Sequence, residues 1–212
     1  MTGRRAICVT SFVLALLAVA PAKGEQPLAA VRERLASPPV LRGEFEQEKA
    51  LRGFRNPLRS QGTFLLVREQ GIVWRTEEPF PSTVVLTRER VVSRLPNGPV
   101  RVELEATDHP GLGAVHALLI ALVGGDLEAL GAQFDAEAEI LGDDEWRLSL
   151  VPRTGPGRRF VGQIELRGGT HVESVRIDEV SGDRTSIRFR HVSGDVEPTS
   201  AERDAFGTRA ID

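Results

Sequence analysis

Between Leu41 and His191 the chain is built of short runs that alternate apolar and polar residues, and a period of two commits a chain to extended strands. In the run 41–49, Leu41, Gly43, Phe45 and Gln47 fall on one face. Arg42, Glu44, Glu46 and Glu48 fall on the other, so the strand has one wet face. The run 60–68 puts Phe64, Leu66 and Arg68 on one face, and Gly71 turns the chain into 72–76, its expected hairpin partner. Pro79-Phe80-Pro81 is excluded from a central strand and reads as a corner. Further strands are expected at about 83–87, 90–95, 100–106, 134–140, 145–151, 160–167, 172–180 and 185–191. The segments between them carry turn chemistry: Pro96-Asn97-Gly98-Pro99, Gly142-Asp143-Asp144, Gly155-Pro156-Gly157, Gly168-Gly169 and Ser181-Gly182-Asp183.

Three stretches break that rhythm. Residues 27–36 place Leu28, Val31 and Leu35 at helical spacing, opposite Arg32, Glu33 and Arg34, and the helix must end before Pro38-Pro39. Residues 112–123 are apolar nearly all round, interrupted by His116, and are too short to span a bilayer. This reads as a helix buried in protein or closing over an apolar cavity, with Gly124-Gly125 as its end and Asp126 capping a short second helix toward Leu130. Near the C-terminus, Thr199-Ser200-Ala201-Glu202 is a capping-box pattern that opens a short helix to Phe206. Roughly ten antiparallel strands with two or three helices describe a curved sheet or barrel of the α+β kind.

The N-terminus bears on compartment. Arg4 and Arg5 precede an apolar run over 6–20, followed by Ala20-Pro21-Ala22, the pattern of a secretory signal peptide cut after Ala22. The domain expectation is therefore a signal peptide over 1–22 and a single domain over 23–212. The only cysteine, Cys8, lies inside the apolar run, so neither disulfides nor thiol chemistry is expected of the processed chain. Removing residues 1–22 takes away two arginines and no acid, which moves the formal net charge from −3 to −5. A mildly acidic chain is a poor partner for nucleic acid.

Chemistry-bearing patterns are sparse. His109, His116, His171 and His191 form no close metal-binding pair, and His171 and His191 read as ordinary strand residues. No metal or cofactor is expected. Gly111-Leu112-Gly113 lacks the third glycine of a dinucleotide loop and reads as a helix entrance. Asp143-Asp144-Glu145 lacks calcium-loop spacing and reads as a solvated turn. Arg158-Arg159 is suited to meeting an anionic surface, but two charges alone read better as a wet hairpin tip. No nucleophile–base pair is evident, so no enzyme is expected. Phe45, Phe64, Leu66 and Trp74 suit either a closed core or a cavity wall. Arg68 sharing their face is awkward in a closed barrel, because burying it costs several kcal/mol without acceptors. At the rim of an open barrel it can bond to helix-end carbonyls as a latch.

Phe45-x-Gln47-x-Lys49, Gly62, Arg68, Trp74, Thr76 and Pro79, in that order and spacing, resemble the LolA-type outer-membrane lipoprotein carriers. The apolar helix around Leu118 and the run Asp143-Asp144-x-Trp146-x-Leu148-x-Leu150-x-Pro152 extend the resemblance over most of the chain. It implies an incomplete, strongly curved antiparallel barrel with helices forming a lid over an apolar cavity. The cavity would accept acyl chains of a lipoprotein or lipid from an inner-membrane donor transporter and pass them to an outer-membrane acceptor. On that reading Phe45, Phe64, Leu66, Trp74, Leu118, Leu119 and Leu122 line the cavity, Arg68 is the lid-contacting arginine, and the protein is a periplasmic monomer. A partner-binding or transporter-accessory protein on the same fold is the alternative. The chain departs from the family in having Glu69 where proline usually follows the arginine, and in 90–95, where an aromatic segment is usual.

Overall fold

The structure, a computed structural model, describes residues 25–36, 38–68, 70–87, 91–95, 101–104, 130–131, 133–142, 144–153, 156–195 and 197–206. Eleven strands form one antiparallel sheet: β1 (Val40–Ala50), β2 (Leu58–Val67), β3 (Gly71–Glu78), β4 (Ser82–Leu86), β5 (Val91–Arg94), β6 (Arg101–Leu104), β7 (Phe134–Ile140), β8 (Trp146–Pro152), β9 (Val161–Gly168), β10 (Val172–Glu179) and β11 (Arg184–Asp195). Their order is β6-β5-β4-β3-β2-β1-β11-β10-β9-β8-β7. Two meanders thus meet where the first strand pairs with the last, and β6 and β7, successive in the chain, are the two edges of an open sheet. Helix α1 (Glu25–Arg34) precedes β1, a single 3-10 turn (Pro156–Arg159) precedes β9, and helix α2 (Ser200–Phe206) follows β11.

Each expected strand is present, and the alternation assigned the faces correctly because directly opposite residues share a face. Phe45 stands opposite Phe189, Phe64 opposite Trp74, and Leu66 opposite both Leu41 and Ile72. Three details differ from the sequence reading. His171, expected as a strand residue, lies in the turn between β9 and β10, because the β10 ladder opens only at Val172. Strand β2 ends at Val67, which leaves Arg68 in the following turn, where its backbone N–H donates to Pro39 O at 2.9 Å. Strand β11 continues to Asp195 because His191, at φ 50°, sits beside a register shift against β1. His191 is therefore a bulge residue, 3.0 Å through Nδ1 from Glu44 Oε2, and not an ordinary strand position.

The inner face carries two cores. Over β7–β10, Trp146, Leu148, Leu150, Ile164 and Leu166 are fully buried, with Val31 of α1 packed among them. Trp146 satisfies its indole N–H on Gly169 O at 2.6 Å, as a buried ring must. Over β2–β5 the second core is Phe64, Leu66, Ile72, Leu86 and Val91. A third, smaller cluster lies on the outer face, where α2 brings Ala205 and Phe206 against Leu65, Val73, Val85 and Val92. The expected capping box forms: Glu202 N–H donates to Thr199 Oγ1 at 3.3 Å and Thr199 N–H to Glu202 Oε2 at 2.7 Å.

The apolar run 112–123, with Leu118, Leu119 and Leu122, and the turn at 124–126 lie outside the described residues, as do 1–24. Leu130, at the end of that stretch, is buried in the first core. No helix of the described residues is long and apolar enough to cross a membrane.

Candidate functional site

Where the two inner cores meet, four aromatic rings come together from four strands. Phe45 of β1 stacks on Trp74 of β3 with ring centroids 3.8 Å apart. Phe189 of β11 meets Phe64 edge-on at 5.1 Å and Trp74 at 6.2 Å. Two glycines make room. Gly43, opposite Phe64, has no side chain where the Phe64 ring lies; a Cβ there would stand 2.7 Å from Phe64 Cε1. Gly62, opposite Phe45, lies in the gap that the stacked pair bridges.

Beside this cluster is a cavity of about 70 Å³, walled by Phe64, Leu66, Ile72, Trp74, Phe189 and Val192. Leu35 and Ala36, at the end of α1, and Leu41, His171, Val172 and Val175 complete the wall. Ala36 N–H donates to Thr170 O at 2.7 Å, which ties the exit of α1 to the turn that carries His171. Among the described residues the half-buried His171 ring is the one ionisable group of that wall; its Nδ1 lies 3.3 Å from Thr170 Oγ1. The volume is small beside the roughly 300–1,000 Å³ of pockets that enclose a drug-sized ligand. A long apolar ligand enters only if the rings and aliphatic side chains part.

Of the residues expected at the site, the structure brings Phe64, Leu66 and Trp74 to the wall and Phe45 into the ring cluster behind it. Phe45 is 1 % exposed, whereas Trp74 remains half-buried. Arg68 sits just beyond β2, with its Nε buried and without a hydrogen-bond partner among the described residues. Leu41 and Ile72 belong to the same alternation, two periods before Phe45 and one period before Trp74. Phe189 and Val192 reach the wall through the pairing of β1 with β11, which spans most of the chain, and Val175 through the pairing of β10 with β11, neither of which a local signal announces. No group of three or more metal-ligating side chains is assembled among the described residues. Apart from His171, the described lining is suited to dispersion contact with hydrocarbon.

The fold is similar to that of solved structures. A DUF1329 family protein from Desulfovibrio piger superposes with a TM-score of 0.50 at 12 % identity, covering 87 % of this chain and 96 % of that one. A LolA superfamily protein from Nitrosomonas europaea gives 0.45 at 10 % identity, covering 82 % and 94 %. A putative outer-membrane lipoprotein-sorting protein domain from Vibrio parahaemolyticus gives 0.49 at 8 % identity, covering 84 % and 96 %. None of the curated proteins compared matches the sequence. The family model described as "Outer membrane lipoprotein carrier protein LolA-like" matches residues 21–203, and the chain therefore belongs to that LolA-like family.

Proposed function

We propose that this protein is a periplasmic carrier, processed after Ala22, which holds the acyl chains of a lipoprotein or lipid in the seam between its two inner cores. It takes them from an inner-membrane donor and delivers them to an outer-membrane acceptor. The observation that carries the reading is a cavity wall built almost wholly of hydrocarbon, in a chain that belongs to the LolA-like family. On this proposal Leu118, Leu119 and Leu122 supply a lid over that wall, and Arg68, whose buried Nε has no partner among the described residues, is its latch. The chemistry is carriage and not catalysis.

Energetics favour a seam that is small at rest. Burying an acyl chain of about sixteen carbons is worth on the order of 12 kcal/mol, at roughly 0.8 kcal/mol per methylene. A rigid pocket capturing all of it would not release its cargo without an acceptor of similar burial. A site whose rings must part uses some of that energy for opening, which makes hand-over easier.

Native mass spectrometry of protein purified from the periplasm, with extraction of bound lipid, tests the proposal. Lipid at about one-to-one, lost in Leu66→Glu protein that keeps its fold, is the expected result. An empty protein that also takes up no fluorescent acyl probe would overturn carriage and leave the partner-binding alternative.

A further inference from the structure

Apart from Leu141, the large apolar side chains that stand exposed among the described residues all lie at one end of the sheet. Phe80 is 80 % exposed at the β3–β4 corner, and Phe54 and Leu58 are 73 % and 61 % exposed at the β1–β2 connection. Val180, at 59 %, and Phe160, at 47 %, occupy the β10–β11 and β8–β9 connections. The opposite end is the one at which Leu41, Ile72, Val172 and Val192 wall the cavity.

These tips are linked. Arg52 N–H donates to Asp183 Oδ1 at 2.8 Å, joining the β1–β2 and β10–β11 connections, and Val180 N–H donates to Phe160 O at 2.9 Å, joining the latter to β8–β9. The rim is also basic. Residues 51–59 carry Arg52, Arg55 and Arg59, residues 153–160 carry Arg153, Arg158 and Arg159, and neither segment contains an acid, in a chain of net charge −3. Of the acids that reach this end, Glu179 accepts from Lys49, Asp183 from Arg52 N–H and Glu78 from Gln61, while Glu77 stands exposed before the Phe80 corner. Arg59 and Arg153 form exposed ion pairs with Glu48 and Asp135, weak enough for a phosphate to displace.

Single exposed apolar residues need no explanation. Phenylalanines at separate hairpin tips, two of them directly beside an arginine (Phe54 by Arg55 and Phe160 by Arg159), are a different pattern. They suit an interface that is apolar below and anionic at its surface. The geometry points to this rim as a docking surface for an anionic phospholipid bilayer, with Phe54, Phe80 and Phe160 entering the interface and the arginines meeting lipid phosphates. Arg158-Arg159 is then one part of a six-arginine rim and not an isolated wet tip. Because the cavity is walled at the other end, docking leaves it unobstructed, and this inference stands or falls independently of what the cavity holds.

Vesicle flotation of protein purified from the periplasm tests it, with phosphatidylcholine vesicles against vesicles containing about one third phosphatidylglycerol. Binding to the anionic vesicles at least tenfold tighter, weakened by salt, is expected. Phe54→Ser combined with Phe80→Ser lowers that binding roughly tenfold or more, and Arg55→Ser combined with Arg159→Ser removes the preference for anionic lipid. All four positions are exposed, so thermal unfolding should be unchanged in both variants. In a Cys8→Ser background, a polarity-sensitive dye on Phe54→Cys shifts to the blue on anionic vesicles, and the same dye on Leu141→Cys does not. Equal partition between the two vesicle types, full binding by the double phenylalanine variant, or a dye response at position 141 in place of 54 would each overturn the proposal. So would an acidic protein captured by this rim while vesicles are ignored.

Discussion

Gly62 of β2 stands directly opposite Phe45 of β1, and the Phe45 ring reaches across that gap to stack on Trp74 of β3. Strands two apart in a sheet are about 9.6 Å from one another, so rings at 3.8 Å must lean together over the strand between them. A side chain at position 62 would stand under them. The backbone is closer still: a Cβ at Gly62 would lie 1.9 Å from Arg75 O, at a register shift between β2 and β3. Gly62→Ala should therefore cost about 2–4 kcal/mol in urea unfolding, since backbone must move to admit it. Gly142→Ala, with nothing within 4 Å of the added atom, should stay within about 0.5 kcal/mol of the parent.

The two tryptophans report on different places. Trp146 is fully buried and hydrogen-bonded to Gly169 O, whereas Trp74 is half-buried on the cavity wall. Entry of a brominated or spin-labelled acyl probe should quench the emission of Trp74 and leave that of Trp146 intact. Trp146→Phe protein should keep the quenching and Trp74→Phe protein should lose it. Quenching that survives Trp74→Phe would place the probe elsewhere.

The same Trp146 allows a stability test. Its indole N–H donates to the carbonyl of Gly169 at 2.6 Å in a buried position. Trp146→Phe should lower stability by roughly 2–4 kcal/mol in urea unfolding, through lost packing and an unsatisfied carbonyl. A change below about 0.5 kcal/mol would show that the neighbouring side chains close over the gap.

What was legible in the sequence was local. Alternation around Phe45, Phe64 and Trp74 assigned strand faces correctly, because period two is a property of each strand alone. Thr199 and Glu202 announced their helix for the same reason: both halves of a capping box lie within four residues. What could not be read was nonlocal. Phe189 joins the ring cluster only because β11 returns to pair with β1, and the exposed phenylalanines form one rim only because four connections end at the same side of the sheet. Arg68 shows a subtler limit, since alternation assigned it a face as though the strand continued past Val67, where the ladder stops.

Arg42 on the outer face of β1 holds Glu202 of α2 through two hydrogen bonds, Nε to Oε1 and, at 2.8 Å, Nη2 to Oε2. The Arg42 guanidinium is the main reason that the Glu202 carboxyl is lowered to about 2, with Thr199 assisting and partial burial opposing. A folded-state pKa below the unfolded value of 4.5 gives stability that is fully present above pH 4.5 and is lost as pH falls toward 2. Allowing for solvent screening at a side chain 21 % exposed, the contribution is no more than about 1–2 kcal/mol. That is enough to matter for a seven-residue helix whose remaining hold is Ala205 and Phe206 on Leu65, Val73, Val85 and Val92. Hydrogen exchange should accordingly show α2 opening between pH 4.5 and 2 while β1 and β11 stay protected. Glu202→Gln should reproduce that opening at neutral pH, and if protection of α2 is the same in both proteins at pH 7, the ion pair is not what holds the helix to the sheet.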